Sequence, residues 1–158
     1  MLLIATLLGP VSSAQFTSQP QSDVRFEVFS GLRTPETEQE FAKIRAWLWQ
    51  RWETHHAGSL VMITHTLEGG RAETHFEIKQ NDSGAWHIVA VTERELTDLR
   101  YPGHVFRESS ETDSYSLVRI PRGHNCSKPK VIRDSALLGA EEYYLVFRSK
   151  DGKILFDL

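Results

Sequence analysis

Phe41, Ile44, Leu48 and Trp52 recur at the spacing of one helix face and make a single apolar stripe. Burying four such side chains is worth roughly 1.5–3 kcal/mol each, so a helix that carries them must lie against another layer. The flanking residues agree. Thr34 can cap the amino terminus, and Pro35 suits the first helical position. Glu36, Glu38 and Glu40 put negative charge near the positive end of the helix dipole. Gly58 is the expected left-handed residue closing the helix, with His55 and His56 in its last turn. Trp47 and Trp49 fall on opposite margins of the stripe.

The remaining segments supply the layer that this helix needs. Val24 to Phe29 alternates apolar and charged residues, the period of a half-buried strand with Val24, Phe26 and Val28 inward. Ser59–Leu67, Ala72–Lys79 and Trp86–Glu93 are rich in β-branched and aromatic residues. They are separated by Gly69-Gly70 and by the turn residues Gln80 to Ala85, which reads as a meander. Arg94 to Ser114, with its polar run Arg107 to Asp113, reads mostly as loop. Tyr115 to Ile120 is a further strand, stopped by Pro121. The last segment, Tyr143 to Leu158, is a hairpin. Asp151-Gly152 fits a two-residue type I′ turn that pairs Phe147 with Phe156 and Leu145 with Leu158. The expected fold is α+β: a single curved antiparallel sheet of about six strands packed on one long amphipathic helix.

The order strand, helix, meander, from Val24 to about Glu93, resembles the cystatin-like architecture. The inhibitory signature of cystatins, Gln-x-Val-x-Gly in the first hairpin, is absent, since the hairpin here reads Thr-Leu-Glu-Gly-Gly-Arg-Ala. The resemblance implies a fold and not protease inhibition.

Leu2 to Leu8 is an apolar run, broken by Gly9-Pro10 and followed by small residues at Ser12 and Ala14. That order matches an export signal over residues 1–14, although no Lys or Arg precedes the apolar run. Residues 15–23 then form a flexible polar tail, 24–158 form one domain, and the localisation is secreted or periplasmic. A net charge of −3 gives no field that gathers nucleic acid or an anionic membrane. No apolar run reaches the ~20 residues of a membrane span. The single cysteine, Cys126, excludes an internal disulfide, and His124 two residues away is placed too close in sequence to orient on it as a catalytic partner. Asn81 and Asn125 each stand in an Asn-x-Ser glycosylation pattern.

Three groups of residues carry candidate chemistry. With Gly69-Gly70 as a two-residue turn, His65 pairs with Thr74, Ile63 with Phe76 and Val61 with Ile78, all on the core face. His75 then lies on the opposite face. His65, Thr74 and Thr92, with Trp47 and Trp49, mark a ligand pocket between helix and sheet. On the outer face, Glu77 lies nearly opposite His87 with His75 diagonal at roughly 7–8 Å, a weak metal constellation of two imidazoles and a carboxylate. Arg119, Arg122, Lys128 and Lys130 form a basic segment suited to an anionic ligand, and it contains no aromatic residue on which bases could stack. No nucleotide-binding, hydrolase or calcium-loop motif is present, and no cofactor is expected. The expected function is an exported, non-catalytic binding or interaction module with a protein or small-molecule partner. The competing readings are a small pocket enzyme or metal-binding protein using sheet-face histidines, and a subunit whose sheet edge is covered by a partner.

Overall fold

The computed structural model describes residues 24–29, 34–67, 69–97, 100–101, 103–122 and 143–158. The signal segment 1–14, the tail 15–23, His124, Asn125, Cys126, Lys128 and Lys130 lie outside the described residues. The described elements are β1 (Val24–Phe29), α1 (Pro35–Glu53), β2 (Gly58–His65), β3 (Arg71–Gln80), β4 (Trp86–Thr97), β5 (Val105–Ser114), β6 (Ser116–Pro121), β7 (Tyr143–Arg148) and β8 (Ile154–Asp157). The α+β class holds, but the strands form two open sheets rather than one. A five-stranded sheet runs β1-β2-β3-β4-β5 and a three-stranded sheet runs β6-β7-β8.

β1 and β2 are parallel, with Val24 opposite Leu60 and Phe29 opposite His65. α1 carries the chain back between them, which is what a parallel neighbour requires. The remaining pairs are antiparallel. β5 and β6 are nearly one strand. Tyr115 breaks it, donates its amide to the Arg148 carbonyl at 2.8 Å, and so passes the chain from the large sheet into the small one.

The helix begins as its residues dictate: Thr34 Oγ1 accepts from the Thr37 amide at 3.2 Å, and Pro35 opens the first turn. Its end differs from expectation. The helix stops at Glu53, and His55, not Gly58, takes the left-handed position with φ of 51°. The His55 amide reaches the Trp52 carbonyl (3.2 Å) and the His56 amide reaches that of Arg51 (2.9 Å), the two bonds of a Schellman closure. Gly58 instead starts β2.

The first hairpin corrects the expected register. His65 faces Arg71 rather than Thr74, Val61 faces His75, and Leu60 faces Phe76. The connection is residues 66–70. Thr66 Oγ1 accepts from the Gly70 amide at 3.0 Å, and of the two glycines Gly69 alone has positive φ, 81°. A two-residue type I′ turn needs positive φ at both central positions, so this loop is longer. The shift of three residues reverses parity: His65 and His75 project from the same face. The sequence pattern could not prevent this, because Leu60, Val61, Met62 and Ile63 are all buried and β2 has no polar side to mark the wrong register.

The core lies between α1, the small sheet and one face of the large sheet, called here the helix-side face. Val28, Ile44, Leu48, Leu60, Phe76, Ile88, Leu145 and Phe147 belong to it. Phe76 of the large sheet meets Phe147 at 5.8 Å and Phe156 at 6.1 Å, and Phe147 stacks on Phe156 at 4.1 Å. Phe147–Phe156 and Leu145–Leu158 pair as expected. At the tip, only Gly152 has positive φ and Ser149 bonds the Lys153 carbonyl, so the loop holds one residue more than a type I′ turn, and the ladder absorbs the difference at Phe147/Arg148.

Candidate functional site

The cover over the helix-side face ends part-way along the large sheet. On β4 the inward residues run from Ile88 and Ala90, both buried, through half-buried Thr92 to exposed Arg94 and Leu96. β3 shows the same gradient from Ile78 and Phe76 through Thr74 to Ala72. Beyond that line the sheet continues as a β4–β5 ribbon in which Thr92 faces Ser110, Arg94 faces Glu108 and Leu96 faces Phe106. Leu96 is 41% and Phe106 50% exposed, although they sit on the face that is core elsewhere. Tyr101 and Val105 are exposed nearby.

Three open clefts of about 440, 390 and 240 Å³ share Arg94 as a wall. The largest also holds the outer-face row in which Glu95 stands between Arg71 and Arg107. The middle one holds Thr92, Glu108 and Ser110, and the smallest holds Thr64, Ala72 and Leu96. The surface is thus an apolar pair set among charges of both signs and small hydroxyls.

The expected pocket is not assembled as one group. Thr74 and Thr92 do face each other, with hydroxyls 3.0 Å apart, at the margin of this open region. His65 lies on the other side of the sheet, where its Nε2 stands 2.6 Å from Glu27 Oε1. Trp47 and Trp49 pack on the core under arginine side chains, Arg51 at 5.3 Å from the Trp47 ring and Arg119 at 4.3 Å from the Trp49 ring.

The three candidate metal ligands are separated by the observed pairing. β3 and β4 keep the expected parity, so His75, Glu77 and His87 share the outer face, but Glu77 faces Val89 and His87 faces Lys79. His75 bonds Glu73 at 2.8 Å, and Glu77 pairs with Lys79 at 2.6 Å. Among the described residues, no three His, Cys, Asp or Glu side chains gather around a common point. Burial opposes charge on Glu73, but Arg71 and His75 outweigh it and hold its pKa below the ordinary carboxylate range. His87 is instead buried in a different pairing. Its Nδ1 lies 2.6 Å from Asp113 Oδ1, its ring lies 5.5 Å from that of Tyr115, and its buried Nε2 has no hydrogen-bond partner among the described residues. None of the clefts described here reaches it.

Arg119 and Arg122 fall into a seam between α1 and the small sheet that composition alone could not reveal. Arg119 projects inward with Leu145 and lies over Trp49 and, at 5.3 Å, over Tyr143. Burial pushes the Tyr143 phenol up, with Arg119 and Arg45 only partly offsetting it. Arg45, on the helix and 2% exposed, donates to Glu38 Oε1 at 2.7 Å, and Arg122 donates to the same oxygen. Burial works against the Glu38 carboxylate, yet hydrogen bonds and charge from the two arginines outweigh it and lower its pKa. A cleft of about 200 Å³ opens here between Phe41, Tyr144 and Leu158. Because Glu38 already answers both guanidinium groups and Asp157 also lines the cleft, the seam reads as a structural tie.

No protein-family model, no curated protein and no solved structure matches this chain. No helix among the described residues is long and apolar enough to cross a membrane.

Proposed function

We propose that this chain is an exported, non-catalytic interaction module that receives a protein partner on the uncovered part of its helix-side face. The observation that carries the reading is the facing pair Leu96 and Phe106, left exposed in line with the core and flanked by Arg94 and Glu108. An apolar centre with a charged rim is the composition of a specific protein contact. The paired threonines and the clefts around Arg94 offer hydrogen-bonding and space at its margin. Export is part of the proposal through the apolar run and small residues of positions 1–14. The cystatin-like likeness enters in the same way, through element order alone.

The test is site-specific photo-cross-linking in the producing cell. A cross-linking amino acid at position 106 is expected to trap one defined partner. The same group at Ile154, exposed at the remote hairpin, is expected to trap none. Equal labelling from both positions, or none from 106, refutes the assignment.

A further inference from the structure

Among the described residues β5 has a partner on one side only, since it closes the order β1-β2-β3-β4-β5. It offers ten residues of backbone, Val105–Ser114, of which Ser114 alone is buried. A free strand of this length is a template for another strand. The order of side chains states which strand fits. We propose that β5 pairs with β5 of a second copy, antiparallel about a two-fold axis through Ser109, joining two large sheets into one.

In that register Arg107 lies opposite Glu111 of the second copy, and Glu111 opposite Arg107, so the contact holds two cross-strand ion pairs on the outer face. Both groups are free to make them. Arg107 is 83% exposed and its ion pair among the described residues is a 4.0 Å contact with Glu95, while Glu111 is exposed and pairs with no cation there. Phe106 meets Thr112, Glu108 meets Ser110, and no like charges stand opposite each other. Sliding by one residue in either direction forfeits both ion pairs, and in one of the two directions it also brings Glu108 against Glu111, which is unfavourable. Sliding by two sets Glu108 against Glu108 in one direction and, in the other, Arg107 against Asp113, whose carboxylate already holds His87. Directly opposed residues share a face, so both helices lie on the same side of the joined sheet. The dimer uses the strand edge and sets Phe106 beside Thr112 of the second copy, so a cross-link from position 106 to this same chain belongs to the dimer and one to a different protein belongs to the interaction-module reading.

The test is sedimentation velocity of the whole chain over a concentration series. Wild type is expected to shift from monomer to dimer. Arg107→Glu or Glu111→Arg turns both pairs repulsive and is expected to raise the dissociation constant about tenfold or more. The double exchange Arg107→Glu/Glu111→Arg is expected to restore dimerisation. Both residues are exposed, and unchanged circular dichroism checks that each variant folds. A wild-type chain that stays monomeric up to about 1 mM, or a double exchange no better than the single changes, overturns the proposal.

Discussion

Replacing Glu38 with Gln tests whether the seam between α1 and the small sheet is held by charge. The substitution keeps the shape and removes the negative charge that Arg45 and Arg122 share. A hydrogen bond to a charged group is worth about 1.5–3 kcal/mol, and two are weakened here. Glu38 retains 22% exposure, so water screens part of the effect, and a loss of about 2 kcal/mol is expected at neutral pH. For a domain of this size that lowers Tm by roughly 8 °C. The pH dependence fixes the cause. The folded-state pKa of Glu38 is depressed from 4.5, so its contribution is fully present above that value and is lost as pH falls through the lower folded-state pKa. Urea titrations of wild type and variant at neutral pH and at successively lower pH should therefore converge in the acid range. A difference below about 0.5 kcal/mol at neutral pH, or one that persists unchanged in acid, refutes the charge account.

Two further outcomes follow from the ends of the helix. At an ordinary helical position Ala is more stabilising than Gly by about 0.5–1 kcal/mol. At His55, held at φ of 51°, the order should invert. Both His55→Gly and His55→Ala lose the 5.5 Å ring contact with Trp86, and the glycine variant should melt later by about 1 kcal/mol. Thr34→Ala removes the acceptor for the Thr37 amide and is expected to cost about 1 kcal/mol by chemical denaturation, with Thr34→Ser largely restoring it.

The elements with one polar and one apolar side were legible in the chain. The helix stripe, the inward Val24, Phe26 and Val28, and the Trp86, Ile88, Ala90 face all read correctly because alternation or helical spacing names the buried side. β2 was not, since both of its sides are buried and the turn geometry alone sets its register. That one shift moved His65 away from Thr74 and Thr92. β5 read as loop because its edge faces water on both sides of the sheet, leaving no apolar period, and its pairing with β4 forms it. Arg45 escaped notice for a different reason. Its burial depends on Glu38 two turns earlier and on Arg122 from a distant segment, a tertiary coincidence that no local spacing encodes.

The step at Tyr115 binds the two sheets in a way that contact alone would not. A single covalent run of chain forms the border of one sheet and then the border of the other, while Phe76 inserts its ring against the second sheet from the first. Neither sheet can therefore shed the other and survive as a smaller unit. Damage at the small hairpin must be felt at the ribbon carrying Leu96 and Phe106, so the proposed contact surface shares one fate with the core behind it.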